Sequence, residues 1–508
     1  MTTFATPLVS MRVLILGVGE TGSAAARWCA RQGLALRVAD TRAHPPGMDA
    51  LREDLAGADT QYVLGEGAFT ADLIEGAGQV VLSPGLVPTD APVREVLDAA
   101  QAAGIEVVGE IELFARALAV LNEQQGYAPR VLAVTGTNGK TTVTALTRCM
   151  LESSGMTAVA AGNIGPAALT ALMHAIDTES LPQVWVIELS SFQLETTSSL
   201  CPDAAAVLNV TQDHLDWHGS EAAYAGAKSR IYAKARVKIG NRDDAQVLPM
   251  VGEAQSLAVR TFGTGVPTLV GDLGIEVVAG VSWLCASLSN ELDDDAPAPR
   301  RKKNAPEPVR QVGRLSRLMP IDALRLRGMH NASNVLAALA LARVLDLGWG
   351  GLLRAAGEYE GEPHRTNFVR TIAGVDFVND SKGTNVGASV AALQGMGQPV
   401  VLIAGGLGKG QDFSPLAQAV AQHARAVVLI GQDAALIADA LAEVGVPVEQ
   451  VDSLDAAVAR ALEKAEEGDA VVLSPACASM DMFRNYGHRG EAFVDAVNNL
   501  ALDRGEVV

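Results

Sequence analysis

Three times along the chain, an apolar strand-like run ends in a glycine turn and leads into an alanine-rich amphipathic stretch. The first two runs cover residues 13–16 and 131–134. The third segment opens near Phe377 and continues with the run at 400–404. A strand followed by a crossover helix and another strand is the repeating unit of parallel sheets. The pattern therefore predicts an α/β protein with mostly parallel sheets, in which each restart opens a new domain.

The 508 residues exceed what one ordinary hydrophobic core holds. We predict three domains: residues 1–110 (Rossmann-like), 111–362 (a central phosphate-loop ATPase) and 363–508 (Rossmann-like). The turn-like sequence Gly361-Glu362-Pro363 is a candidate hinge into the third. Residues 291–310 combine an acidic block, a basic block and four prolines, a composition that cannot bury apolar surface. We interpret them as a mobile surface insertion between two strands of the central domain.

Charge and cysteine content exclude several function classes. The net charge of −19 argues against nucleic acid as a main partner, since phosphate backbones need a basic surface. The five cysteines contain no CxxC pair, which fits a reducing compartment without disulfides or a zinc site. The first ten residues do not resemble a signal peptide, and no apolar run is long enough to span a bilayer. We therefore expect a cytoplasmic protein without membrane partners.

The most specific motif lies between an apolar run and the start of a predicted helix, and it comprises Gly136, Thr137, Asn138, Gly139, Lys140, Thr141 and Thr142. The glycines allow backbone N–H groups to surround a phosphate, Lys140 supplies a positive charge, and the Thr141 hydroxyl is a ligand type that suits Mg²⁺. The first glycine is two residues later than in the usual phosphate-loop pattern. The motif predicts ATP binding.

A second glycine motif, Gly17-Val18-Gly19-Glu20-Thr21-Gly22, follows the first apolar run, and Asp40 ends the next one. This arrangement is the dinucleotide fingerprint, but GxGxxG alone is weak evidence for NAD. It indicates a diphosphate-bearing or ribose-bearing ligand at a helix N-terminus. No hydride-transfer constellation accompanies it, so a nucleotide-diphosphate substrate fits better.

Polar residues also follow later apolar runs. Glu188 and His214 are predicted at strand ends of the central domain, where a carboxylate and an imidazole can complete Mg²⁺ coordination. The third domain carries His364-Arg365, Asp380-Ser381-Lys382, Lys409 and Ser479 in comparable loops, which together suggest one anion pocket. Cys477 lacks an adjacent base, and we interpret it as a small buried residue.

Taken together, these residues resemble the Mur ligases of peptidoglycan synthesis, and the segments ELSSFQLE and SPACASMDMFRNYGHRG resemble the D-glutamate-adding branch. The resemblance covers nearly the whole chain except residues 291–310. It implies an ATP-dependent ligase that activates the carboxylate of UDP-N-acetylmuramoyl-L-alanine as an acyl phosphate and couples it to D-glutamate. It also implies two Mg²⁺ ions and cytoplasmic peptidoglycan precursor synthesis, and we expect the enzyme to be a monomer.

By position, the resemblance implies a role for each matching residue. The UDP-substrate site would comprise Glu20, Thr21, Asp40, Thr41, Arg42, Ser83 and Asn163. ATP would be bound by residues 136–142 together with Asn331, Asn334, Arg365 and Asp380; D-glutamate would be bound by Thr384, Lys409, Ser479 and Tyr486. The catalytic residues would be Lys140, Lys228, His214 and Lys382, and the metal ligands Thr141, Glu188, His214 and Lys228.

Lys228 has two interpretations. From sequence alone it is a solvated lysine on a predicted helix, whereas the resemblance implies a lysine that CO₂ converts into a carbamate. Two positions depart from the family: Leu407 stands where an acidic residue is expected in many relatives, and Tyr486 stands for a phenylalanine.

Three other functions stay open. The chain could be a sister ligase, either another Mur enzyme or a folylpolyglutamate synthase, although the latter would not need the first domain. It could instead be a nicotinamide-dependent oxidoreductase or a non-catalytic nucleotide sensor. Phosphate release, with each substrate omitted in turn, distinguishes them.

Overall fold

The computed structural model describes residues 11–290, 308–326 and 328–506. Its first sheet is parallel with the strand order β3-β2-β1-β4-β5, the doubly wound arrangement expected of a Rossmann-like domain. The strands are β1 (Arg12–Leu16), β2 (Leu36–Asp40), β3 (Thr60–Leu64), β4 (Ala77–Leu82) and β5 (Glu106–Val108). The helices are α1 (Glu20–Arg31), α2 (Met48–Asp54), α3 (Val93–Ala102) and α4 (Glu110–Gln125), with a 3₁₀ helix at Ala71–Ile74.

The second sheet is also parallel, with the order β11-β10-β9-β6-β8-β7. Its strands are β6 (Arg130–Thr135), β7 (Ala158–Gly162), β8 (Val184–Glu188), β9 (Ala204–Val207), β10 (Val237–Asn241) and β11 (Val259–Phe262). Its helices are α5 (Lys140–Ser153), α6 (Ala168–Asp177), α7 (Ser191–Glu195), α8 (Leu215–His218), α9 (Glu221–Ser229), α10 (Leu248–Val251), α11 (Met329–Arg343) and α12 (Trp349–Glu358). Two further 3₁₀ helices cover Arg230–Tyr232 and Ile321–Ala323.

A small antiparallel sheet lies beside the second one: β12 (Leu273–Val278), β13 (Val281–Leu288) and β14 (Arg314–Pro320). The predicted insertion falls between β13 and β14, and its residues 291–307 lie outside the described part. Arg310 contradicts the surface prediction, because it is only 4% exposed and its Nη1 lies 2.6 Å from Asp272 Oδ1. The amino-acid composition of residues 291–310 could not reveal that Arg310, the last of them, has a buried carboxylate partner.

The third sheet has the order β15-β16-β20-β17-β18-β19, parallel except for the antiparallel edge strand β15. Its strands are β15 (Asn367–Ile372), β16 (Val375–Asn379), β17 (Val400–Gly405), β18 (Ala424–Ile430), β19 (Val448–Gln450) and β20 (Ala470–Leu473). Its helices are α13 (Val386–Gly395), α14 (Ser414–His423), α15 (Ala434–Ala440), α16 (Leu454–Lys464) and α17 (Tyr486–Asp503). The prediction of an α/β protein with mostly parallel sheets is confirmed.

One apolar cluster joins the first two sheets, each of which also has a cluster of its own, whereas the clusters of the third sheet are separate from these. Val13, Phe114, Leu169 and Trp185 belong to one buried cluster that joins α4 and α6. The third sheet is packed by two separate clusters on its two faces. In the described residues, no helix is long and apolar enough to cross a membrane.

Candidate active site

The phosphate loop connects β6 to α5 at the carboxyl edge of the second sheet. Gly139 adopts a left-handed conformation (φ 82°), and a Cβ there would lie 2.4 Å from Asn334 Oδ1, so only glycine fits. Asn209 holds the loop from the side: its Oδ1 accepts from the Asn138 backbone N–H (2.8 Å) and its Nδ2 donates to the Asn138 carbonyl (3.1 Å). Asn209 thus fixes the backbone of the loop at Asn138.

Lys140, at the first position of α5, is folded back over this loop. Its Nζ donates to the carbonyls of Gly136 (2.8 Å) and Thr137 (2.7 Å). Burial lowers the pKa of Lys140, while the nearby carboxylates of Glu188 and Asp213 act in the opposite direction. The amine therefore lies where a phosphate bound in the loop would replace its carbonyl partners with a stronger, charged acceptor.

Lys228 of α9 is a buried residue, with 1% of its surface exposed, so the interpretation as a solvated lysine is wrong. Its Nζ donates to the Gly136 carbonyl (2.9 Å) and lies 4.2 Å from the centre of the Tyr224 ring. Burial holds the pKa of Lys228 well below that of an ordinary lysine, and repulsion from Lys140 is the second contribution in the same direction. A buried amine of lowered pKa is chemically a nucleophile rather than a solvated cation.

Glu188 ends β8 as predicted, and its carboxylate is 1% exposed. Oε1 accepts from Asn163 Nδ2 (2.7 Å), while Oε2 is buried without a hydrogen-bond partner among the described residues. An unpartnered buried carboxylate oxygen is costly unless a ligand completes it. The Glu188 Oε2 atom is thus free to accept from a ligand.

His214 does not lie at a strand end, because β9 already ends at Val207 and the following loop runs beside the phosphate loop. His214 caps α8 in a left-handed conformation (φ 54°). Its Nε2 is 3.6 Å from Asp213 Oδ2, and its ring packs edge-on against Phe192. Burial lowers the pKa of His214, so the neutral imidazole that binds metal is the favoured form.

The third sheet contributes side chains to the same loop. Arg365 Nη2 donates to the Thr141 hydroxyl. Asn385 and Asn138 exchange two side-chain hydrogen bonds (3.2 and 3.1 Å), and Asn385 Nδ2 also reaches Asp213 Oδ2 at 3.3 Å. These contacts are polar, unlike the apolar contact between the first two sheets. Polar interfaces between domains open and close more readily than apolar ones.

Asp380 and Lys382 lie near Arg365, and burial shifts their pKa values in opposite directions. Burial raises the pKa of Asp380 to about 6, and the carboxylate accepts from Ser474 Oγ at 2.7 Å. Burial, reinforced by Arg365, lowers the pKa of Lys382 to about 7. The Lys382 amine lies 3.6 Å from the centre of the Tyr486 ring. Lys382 can therefore gain or lose a proton near neutral pH.

A cavity of about 400 Å³ opens beside the phosphate loop between the second and third sheets. Seven of the predicted ATP-binding residues line it: Asn138, Gly139, Thr142, Asn331, Asn334, Arg365 and Asp380. Lys382 and the half-buried His330 line it too. Asn331 and Asn334 are not helix caps, because Gly328 is the N-cap of α11; Asn334 Nδ2 instead donates to Asn331 Oδ1 (3.1 Å).

The first sheet has its own candidate site at the glycine turn after β1. The Asp40 carboxylate accepts from the Val18 N–H (2.8 Å) and pairs with Arg42 (2.8 Å). Ser83 Oγ donates to the Gly17 carbonyl (2.8 Å), and Glu20 reaches the second sheet, where its Oε1 accepts from the Ala167 N–H (3.2 Å). Thr21 and Thr41 flank this turn on α1 and after β2.

The predicted D-glutamate residues are less closely gathered. Lys409 is exposed in a left-handed conformation (φ 52°), although its charge still lowers the pKa of His214. Ser479 is buried, Thr384 is half-buried, and Tyr486 packs against Lys382. Leu407 pairs with Ala478 through two backbone hydrogen bonds of 2.9 Å, which do not depend on its side chain. Cys477 is fully buried, and burial raises its pKa to about 12, so it is no nucleophile.

Sequence reasoning missed Asn385, Asp213 and Tyr224. Asp213 precedes the predicted His214 and Asn385 follows the predicted Thr384, and both are buried beside the phosphate loop. Tyr224 donates to Thr137 Oγ1 (3.2 Å) and covers Lys228. Their closeness in sequence to predicted site residues could have indicated them, because polar residues in the same loop face the same surroundings.

Three family models match the chain. The Mur ligase MurD-like N-terminal domain matches residues 11–109, the Mur ligase middle domain matches 134–277, and the Mur ligase glutamate ligase domain matches 364–477. The three matches cover the first, second and third sheets, whereas β13 and β14 of the small antiparallel sheet lie outside them.

Curated relatives are similar over nearly their full length. The UDP-N-acetylmuramoylalanine--D-glutamate ligase of Bordetella bronchiseptica is 65% identical over 97% of both chains. The ligase of the same name from Ralstonia nicotianae is 54% identical, over 98% of this chain and 99% of that one. Among solved structures, MurF ligase from Thermotoga maritima in complex with ADP has a TM-score of 0.57 at 14% identity, over 98% of this chain and 100% of that one. At that identity the likeness shows the fold alone.

Proposed function

The chain belongs to the Mur ligase family, and from that premise we propose that it couples D-glutamate to UDP-N-acetylmuramoyl-L-alanine with ATP as the energy source. It is thus an amide-forming ligase of peptidoglycan precursor synthesis. One observation in the fold carries the proposal: Arg365 and Asn385 of the third sheet contact the phosphate loop of the second. An acyl phosphate can therefore form and react in one enclosed place.

In the first step, a carboxylate oxygen of the substrate forms a bond to the γ-phosphorus of ATP, and the bond to ADP breaks. No general acid is needed, so catalysis consists of positioning and charge neutralisation. Lys140 is held at the loop by two carbonyls, and Lys382 faces it from the third sheet. We propose that both lysines neutralise the charge that develops on the phosphoryl oxygens.

In the second step, the amine of D-glutamate attacks the acyl carbon, phosphate leaves, and the amine loses a proton. An acyl phosphate is easily hydrolysed, so water must be excluded while it exists. The polar contacts of Arg365 and Asn385 with the phosphate loop suit a domain that closes after substrates bind. Gly361, at a positive φ of 98° between α12 and β15, is the proposed hinge.

The residues present fit magnesium. Glu188 Oε2 is a buried oxygen without a partner, and Thr141, His214 and Lys228 are the other ligands we propose. Within the described residues, no group of three His, Cys, Asp or Glu side chains could hold a metal, so further oxygen donors must come from elsewhere. Magnesium would supply charge neutralisation for the phosphate oxygens when bound. Glu188 is kept in place by Asn163.

We propose that Lys228 supplies such oxygens as a carbamate. In that reaction the neutral amine forms a bond to the carbon of CO₂ and releases a proton. The low pKa that burial imposes on Lys228 raises the neutral fraction, and Tyr224 and Gly136 hold the nitrogen in place. Carbamate formation would turn a neutral amine into an anionic oxygen ligand for Mg²⁺.

We assign the substrates to the two remaining groups of residues. Glu20, Thr21, Asp40, Thr41, Arg42 and Ser83 would bind the uridine diphosphate, with Asn163 near the muramoyl end. Thr384, Lys409, Ser479 and Tyr486 would bind D-glutamate. Glu20 supports this arrangement because it connects the first site to α6 of the second sheet.

The test measures release of ADP and phosphate while each component is omitted in turn. Turnover should require UDP-N-acetylmuramoyl-L-alanine, D-glutamate, ATP and Mg²⁺ together. Equal turnover with L-glutamate or with a folate acceptor would overturn the assignment, as would oxidation of NAD(P)H in place of phosphate release.

A further inference from the structure

A second cavity, of about 810 Å³, lies between the C-terminal end of α11, the neighbouring parallel strands and the small antiparallel sheet. Four arginines line it, namely Arg236, Arg260, Arg314 and Arg343, against one acidic residue, Asp346. It shares no lining residue with the cavity beside the phosphate loop. Such a concentration of positive charge stands out in a chain with a net charge of −19.

Behind the cavity wall, one carboxylate near Arg260 is already paired with another arginine. The buried carboxylate of Asp272 is shared by Arg310, whose Nη1 lies 2.6 Å from Oδ1, and by the Thr261 N–H at 2.7 Å from the same atom. Arg260 lies close by, with Nη1 bonded only to the carbonyls of Leu257 (2.9 Å) and Val259 (2.7 Å). Burial and repulsion from Arg310 lower the pKa of Arg260. Among the described residues, Arg260 thus forms no ion pair of its own, and Asp272, which is bonded to Arg310, acts on it only through space.

Two of the lining arginines, Arg236 and Arg314, are exposed at the rim. Arg236 shares Asp203 with Arg130 and lies farther from it, at 3.5 Å against 2.7 Å. Arg314 is exposed at the start of β14 and forms no ion pair with any residue that the structure describes. Guanidinium groups bind phosphate oxygens through paired N–H donors, which gives them preference for this anion.

We propose that this cavity binds a small phosphate-bearing anion at a site separate from the active site. Its volume admits a ligand larger than inorganic phosphate. Arg343 is nine residues beyond Asn334 on α11, which places it about 14 Å along the helix from the cavity beside the phosphate loop. A ligand here would therefore neutralise Arg236, Arg260 and Arg314 without touching the phosphate loop.

The experiment is calorimetric titration of inorganic pyrophosphate into the full chain already saturated with a non-hydrolysable ATP analogue, Mg²⁺ and UDP-N-acetylmuramoyl-L-alanine, at constant ionic strength, so that both proposed nucleotide sites are occupied. We expect one saturable binding event. The double variant R236Q/R314Q should weaken it by about 100-fold, since each charge-assisted contact contributes about tenfold. R260Q should weaken it too, while R460Q, which removes an arginine on α16, should leave it unchanged.

Both rim arginines are largely exposed, so the double variant should fold, and its unfolding midpoint serves as the check. Absence of binding to the wild-type chain would overturn the proposal, as would undiminished binding by the folded double variant. A parallel titration with ribose 5-phosphate distinguishes a phosphate ester from an inorganic polyphosphate, according to which of the two binds more tightly.

Discussion

Replacing Lys228 with alanine tests the chemistry of the active site most directly. The side chain is 1% exposed, donates to the Gly136 carbonyl and lies over the Tyr224 ring. Its neighbours are thus a carbonyl, an aromatic face and, through space, the charges of Lys140, Asp213 and Glu188. If the residue only filled space, its loss would lower stability and leave turnover nearly unchanged.

The expected loss of turnover is large. An ordinary lysine is neutral in only about one molecule in a thousand at pH 7.4, and each unit of lowered pKa raises that fraction about tenfold. The lowered pKa of Lys228 therefore favours carbamate formation. Removing the ligand oxygens that a carbamate provides should reduce kcat by at least ~100-fold, the scale for one preorganised electrostatic contact.

The assay measures phosphate release by K228A with and without formate or acetate. These small carboxylates fit the space left by the side chain and carry the same kind of oxygen ligand, so we expect partial recovery of kcat. K234A, which removes an exposed lysine shortly after α9, is the matched control and should behave as wild type. Wild-type activity should also fall when bicarbonate is removed.

Two results would refute this reasoning. Near-normal turnover of a folded K228A would reduce the residue to a packing role. If K228A is folded and inactive but neither formate nor acetate restores it, the lysine is required for turnover, and the carbamate role is contradicted. Circular dichroism and the unfolding midpoint establish that the variant is folded in both cases.

Further variants test the division of roles. K140A should lower kcat by at least ~100-fold, whereas K409A should mainly raise the KM for D-glutamate, and identical kinetic profiles would contradict the assignment. N385A, which removes the contacts with Asn138 and the N-cap of α13, should lower kcat and cost about 1 kcal/mol of stability, and unchanged kcat would argue against domain closure through this residue. Burial raises the pKa of Glu110 to about 7, so the folded state holds a proton that the unfolded state loses near pH 4.5. Stability should therefore fall by up to about 3 kcal/mol as pH rises from 5 to 8, and E110Q, compared by thermal unfolding, should lack this decline.

Much of the fold could be predicted because the evidence is local. Strand, glycine turn and helix follow one another within a few tens of residues, so the parallel sheets could be expected from the pattern. The antiparallel sheet of β12, β13 and β14 went unnoticed, since short strands without a motif leave a weak signal. His214 was misplaced at a strand end, because an apolar run does not show where the strand stops and the loop begins.

The sequence by itself determined which chemistry is available near each turn. The roles of Gly139, Lys140 and Thr141 in the phosphate loop can be read from their neighbours in sequence. A tight turn followed by a helix start requires specific side chains at fixed spacing.

Tertiary structure decided which of these groups meet and in which protonation state. Lys228 and Lys382 look like solvated lysines until burial lowers their pKa values, and Arg310 looks like part of a surface insertion until it meets Asp272. Asn385 lies 247 residues from Asn138 in the chain and is in contact with it in the fold. Burial and long-range contact depend on the packing of whole sheets, which no local spacing contains.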